Sequence, residues 1–243
     1  MDEELRPVPW HRADLAVFAA FFLLAVFVVP AGFFLVLRLF SPRFQITDAS
    51  GVALIFAQVL IDLAVVGFIF FIVRVHGLPV VQTLRWVRAE GIHVGWLISA
   101  GAFLALTVQF VSSVLPRGPD SPLEKLLTTP ASTAALVIYG IAVAPLSEEI
   151  MFRGFLYTLL ADLYSPRLAV PVTTFAFAAL HFQQIGGNWP AMALILVVGY
   201  VLTEVRKRSD SLIPSFIMHT AYNSMIFGMG ALSTVLQHGK VPS

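Results

Sequence analysis

An all-α, polytopic transmembrane helical bundle is the fold this sequence predicts, and three observations predict it. Of the 243 residues, 58% are hydrophobic and 12% charged, against about 45–50% and about 25% in soluble domains. Apolar runs near the roughly 20 residues that cross a bilayer recur along the whole chain. A few ionisable residues stand inside those runs, where facing lipid would cost about 2.5–3.5 kcal/mol each. With Gly 16, Pro 15 and Cys 0, collagen-like, disordered and disulfide-built classes are excluded, and with them thiolate chemistry. A net charge of +1 gives no reason to expect nucleic acid.

The spans follow in order. Leu15–Leu37 carries no charge, and Pro30 and Gly32 are expected to kink it. It is too long for a signal-peptide core of about 7–15 residues and has no small-residue cleavage site, so it reads as a retained helix. Gly51–Val73 is broken only by Gln58 and Asp62, and Val94–Leu115 is third. Ala131–Ala161 is a long fourth segment containing Glu148, Glu149 and Arg153. Shorter stretches at Leu168–Ile185 and Trp189–Val205 come next, and Leu212–Leu236 closes the set. The count is about seven spans, or eight if the fourth segment is two.

Basic residues set the orientation. Seven spans leave Arg6, Arg12, Arg74, Arg85, Arg88, Arg167, Arg206, Lys207 and Arg208 on one side. Arg38, Arg43, Arg117, Lys125 and Lys240 fall on the other, which predicts a cytoplasmic N-terminus. Splitting the fourth segment would move Arg206–Arg208 outside, which argues against eight. Arg117-Gly118-Pro119-Asp120 and Gly186-Gly187-Asn188 read as loops. Trp10, Trp86, Trp96 and Trp189 fall near span ends as interfacial aromatics. The 206–208 run is either a topology signal or a contact for anionic headgroups. His11, His76, His93 and His238 lie at or beyond span ends and need no catalytic role. Asp62, with Gln58 one turn before it, reads as a hydrogen-bonded buried acid rather than a cavity wall.

The remaining polar residues must face the bundle interior and are functional candidates by default. Glu149 and Arg153 stand at i and i+4, acid first, which suits an ion pair on one helix face. Glu148 lies about 100° around the helix from Glu149, so the two acids are expected to have different tasks. Phe177 and His181 are i, i+4 on one span, and His219 and Asn223 on another. Three helices thus bring one free carboxylate, two imidazoles and a carboxamide to an apolar interior. For Glu148, desolvation favours the neutral acid and a neighbouring cation favours the carboxylate, a balance that suits a general base near neutral pH. His181 would orient a water on Glu148, and His219 and Asn223 would offer N–H donors to an oxyanion. Zinc on Glu148, His181 and His219 is the alternative, but H-E-x-x-H is absent and no cofactor is expected. Ser147 lacks a G-x-S-x-G context. A network that merely ties helices together needs neither two histidines nor an unpaired acid. A transporter would spread its polar residues along a path rather than cluster them.

The run Ala144-Pro145-Leu146-Ser147-Glu148-Glu149-Ile150-Met151-Phe152-Arg153-Gly154 resembles the E-E-x-x-x-R motif of the CPBP (Abi) family. That family includes type II CAAX prenyl endopeptidases and bacteriocin-processing or immunity proteins. Phe177-Ala178-Ala179-Leu180-His181 is similar to its F-x-x-x-H motif, and His219-Thr220-Ala221-Tyr222-Asn223 to its H-x-x-x-N motif. The likeness covers about Thr129–Met229. It implies an active site in a cavity inside the membrane, with Glu148 as catalytic glutamate and His181 as its partner on the attacking water. It further implies an oxyanion hole of His219 and Asn223, with Glu149, Arg153 and Phe177 as structural support. One integrated membrane domain is expected, with three N-terminal spans over 1–128, a catalytic core over 129–230 and a tail over 231–243. The expected function is a glutamic-type intramembrane endopeptidase acting on membrane-associated peptides or proteins, with CAAX-type or bacteriocin-type processing as its setting. The alternative is a non-catalytic peptide-binding or immunity protein. Membrane lipids and a peptide or protein substrate are the expected partners, and a prokaryotic chain would sit in the plasma membrane.

Overall fold

Proline and short polar side chains set where several helices begin. The computed structural model describes residues 10–41, 51–116, 129–182 and 184–238, with side chains to residue 230. Thr129 accepts a hydrogen bond from the Ser132 N–H at 3.1 Å with Pro130 just inside the helix. Ser165 and Asn188 cap two later helices in the same way, each followed by a proline. The described helices are α1 (Arg12–Phe40), α2 (Gly51–Val75), the short α3 (Val80–Thr83), α4 (Val94–Val114), α5 (Pro130–Leu163), α6 (Pro166–His181), α7 (Trp189–Ser209) and α8 (Leu212–His238). No strand occurs among the described residues.

Five helices, α1, α2, α4, α5 and α7, are long and apolar enough to cross a membrane, and the chain is an integral membrane protein. Of the seven expected spans these five meet that measure of length and apolar character, and α6 and α8 fall short of it. At 16 residues α6 is shorter than the roughly 20 that span hydrocarbon, and α8 mixes His219, Thr220, Asn223 and Ser224 into its apolar sequence. Both supply polar side chains to the interior, α6 through His181 and α8 through His219 and Asn223. The long fourth segment is one continuous helix, so it is not split into two spans.

The chain ends of alternate helices meet at one end of the bundle. Trp10 Nε1 donates to Asp162 at 3.0 Å, His76 lies 2.9 Å from Asp14, and the Leu212 N–H donates to the Arg85 carbonyl at 2.8 Å. Arg85 also pairs with Asp210. This is the alternation that the basic-residue pattern requires, although Arg6, Arg43, Arg117, Lys125, Lys240 and the 117–120 loop lie outside the described residues. One expectation at this end is corrected. Trp10 is no interfacial anchor: it is buried, edge-on to Phe155 at 5.7 Å. In the 206–208 run Arg206 is buried on the Arg153 carbonyl and Thr158, while Lys207 and Arg208 pair with Glu204 and the Arg208 side chain stays 81% exposed.

The apolar core lies where α1 and α2 pack on α5, around Phe155, Ile69, Val65 and Leu159. Phe27, Leu39, Phe103 and Phe110 are exposed, as side chains that face acyl chains must be. On the far side α4 and α8 approach closely at Gly101, where a Cβ would strike the Met218 carbonyl oxygen. Small residues at such crossings let backbones touch without an apolar driving force.

Candidate active site

Two widened, π-helical turns interrupt α5, at Tyr139–Val143 and at Glu149–Leu156. Such i→i+5 turns cost hydrogen-bond geometry and cluster at functional sites. Glu148 ends the ordinary turn between them and Glu149 begins the second. Both acids are buried and both reach the same histidine, so they are not as independent as their 100° separation on a regular helix suggests. The His219 ring stands between them, with Nδ1 3.0 Å from Glu149 Oε1 and Nε2 3.7 Å from Glu148 Oε2.

Glu149 and Arg153 form the expected pair, 3.0 Å apart and wholly buried. The other guanidinium donors are also satisfied: Nη2 reaches the Gly199 carbonyl at 3.1 Å and Nε reaches Thr203 Oγ1 at 3.3 Å. The Phe177 ring lies against the guanidinium, 4.2 Å from centroid to Cζ. The Phe177 ring also meets the His181 ring at a tilt, 4.6 Å between centroids, and the His219 ring in an edge contact at 5.9 Å. Phe177 therefore packs against the buried cation and both imidazoles, while Glu149 Oε1 joins Arg153 directly to His219.

His181 Nδ1 donates to the Phe177 carbonyl at 2.8 Å, which turns Nε2 toward Glu148 Oε1 at 3.9 Å. Asn223 Nδ2 donates to the Gly140 carbonyl at 2.7 Å inside the first widened turn. A Cβ on Gly140 would run into the Phe227 ring, so only glycine lets α8 come this close. Glu148, His181, His219 and Asn223 line one cavity of about 220 Å³, with Tyr139 and Tyr222 completing its wall. The four residues named from sequence share one space.

Asp62 is placed as expected, buried and hydrogen-bonded: Tyr139 Oη donates to Oδ2 at 2.9 Å and Gln58 Nε2 to Oδ1 at 3.1 Å. Sequence reasoning missed Tyr139, Gly140, Gly199 and Thr203. Glycines inside apolar spans mark close helix approach, and that signal was available for Gly140 and Gly199. For zinc, the donor set of Glu148, His181 and His219 has suitable chemistry but does not close. Ligand atoms about 2.1 Å from one ion lie about 3.5 Å apart, and these three do not all fall within 4.8 Å of one another.

Comparison with known proteins finds a family model that matches the segment holding these residues. Residues 130–225 match the family model described as type II CAAX prenyl endopeptidase Rce1-like. The UPF0177 protein YxdF of Lactococcus lactis is 28% identical over 129 residues, covering 53% of this chain and 66% of that protein. An uncharacterized 24.3 kDa protein of Escherichia coli is 28% identical over 147 residues, 58% of this chain and 64% of its own length. The chain thus spans just under two thirds of either relative. No solved structure matches it. The matched segment holds all three motifs and bears out the resemblance read from them: residues 130–225 are similar to the type II CAAX prenyl endopeptidase Rce1-like family.

Proposed function

We propose that this chain is a CAAX-type intramembrane endopeptidase that cleaves membrane-associated peptides with a water activated by Glu148. The observation that carries this reading is the Glu148 carboxylate, faced from two helices by imidazole Nε2 atoms at 3.9 and 3.7 Å. Polar contacts beyond about 3.5 Å accommodate a bridging water, and a water there touches the base and both rings at once. Glu148 takes a proton from that water as its oxygen attacks the scissile carbonyl. His181, fixed by the Phe177 carbonyl, accepts from the water and aims its lone pair.

The tetrahedral oxyanion falls to Asn223 and His219. One Asn223 N–H is spent on Gly140, which leaves the second for substrate. Glu149 accepts from His219 Nδ1, which fixes the ring so that Nε2 faces the cavity beside Glu148. Glu149 thus does more than brace Arg153. Collapse of the intermediate breaks the C–N bond, and Glu148 returns its proton to the leaving amine. No cofactor is assigned to these steps, and the N-terminus is assigned to the cytoplasm.

The test is cleavage of a panel of prenylated and plain peptides by the purified protein. Glu148→Gln should abolish cleavage with helix content and elution volume unchanged. A Glu148→Gln protein that cleaves at the wild-type rate would sink the assignment. If neither protein cleaves but both bind the peptide, the cavity belongs to a binding or immunity protein instead. Chelator should leave the rate unaltered.

A further inference from the structure

We propose that His11, Asp14 and His76 form a site for one divalent transition-metal ion of the zinc class, separate from the cavity around Glu148. Among the described residues these are the three whose imidazole and carboxylate ligand atoms all lie within 4.8 Å of one another. His76 Nε2 is 2.9 Å from Asp14 Oδ1, and His11 Nδ1 is 3.9 Å from Asp14 Oδ2. The His11 and His76 rings are stacked, 6.1 Å between centroids and 23° between planes.

The site is preorganised on one side and open on the other. The Asp14 carboxylate also accepts the His11 backbone N–H at 2.7 Å, a bond that holds a ligating carboxylate in place. The His76 ring packs edge-on against Trp10 at 5.4 Å, and Trp10 is itself anchored to Asp162. The His11 side chain is 76% exposed, so it swings the last ångström inward, admits the ion and leaves a position for water. Two imidazoles with one carboxylate suit zinc and its neighbours, whereas calcium and magnesium want oxygen ligands. The capping box at the start of α1 accounts for the pairing of His11 with Asp14 but asks nothing of His76.

His11 precedes the first residue of α1 and His76 follows the last of α2, so a bound ion ties these two spans at the membrane edge. Binding to the folded state then raises the unfolding temperature. The experiment titrates Zn²⁺ into the chelator-treated, full-length protein in detergent by calorimetry, with Co²⁺ absorption as a second readout. One equivalent should bind, with thermal stabilisation. His76→Gln, Asp14→Asn and the exposed His11→Ala should each weaken binding about tenfold or more, while Glu148→Gln leaves it unchanged. Absence of binding to the wild type would overturn the proposal. So would binding that survives all three edge substitutions or that is lost with Glu148→Gln. Chelator-sensitive cleavage that persists in His76→Gln would instead place a metal at Glu148, which separates failure here from failure of the cofactor-free mechanism.

Discussion

Glu149 is the residue on which two functions converge, since its Oε1 meets both Arg153 Nη1 and His219 Nδ1. Removing one partner of a buried ion pair leaves a bare charge and costs about 3–5 kcal/mol. Glu149→Ala should therefore lower the unfolding temperature sharply and reduce folded yield, as measured by thermal unfolding in detergent. Thr203→Val, which takes away a neutral partner of the same guanidinium, should cost about 1–3 kcal/mol, the price of one unmet buried hydrogen bond. Equal stability of Glu149→Ala and wild type would show that Arg153 finds another anion. Asn223→Ala should cut the rate of cleavage by about 10²–10³ through loss of an oxyanion donor. The same change also frees the Gly140 carbonyl, so its unfolding temperature should fall modestly as well.

Among the elements, α5 shapes the site most. Its two widened turns place Gly140 and Glu148 opposite α8, and the absence of a side chain at position 140 lets Phe227 and Asn223 approach. Gly140→Leu should push α8 away and abolish cleavage while circular dichroism still reports a helical protein. Full activity in that variant would mean that the Asn223–Gly140 contact is dispensable. Gly199 plays a parallel part on α7, where a Cβ would come within 2.9 Å of the Phe177 ring and crowd the Gly199 carbonyl away from Arg153.

At the scale of the molecule, the loops after α2, α5 and α7 and the start of α1 gather at one end. The sequence has no cysteine, so single cysteines report sidedness cleanly. Glu90→Cys and Trp189→Cys should label from opposite faces of sealed vesicles with a membrane-impermeant thiol reagent, Glu90 from the cytoplasmic face. Labelling from the same face would overturn the alternation of the spans. A Glu90 that labels only from outside would reverse the assigned orientation and leave the fold untouched.

Composition and run length were enough to predict a helical membrane bundle, because lipid leaves a spanning backbone no other way to satisfy its hydrogen bonds. The same physics singled out Glu148, Glu149, Arg153, His181, His219 and Asn223, since polar groups at that depth need a reason. Spacing also gave the Glu149–Arg153 pair, a contact local to one helix. What spacing could not give was anything across helices: that His219 stands between two acids, that Gly199 and Thr203 complete the guanidinium's shell, or that Trp10 and Arg206 are buried. Nor did a regular helical period anticipate the widened turns of α5. Those features come from how close neighbouring helices pack, and closeness is a property of the assembled bundle rather than of any one segment.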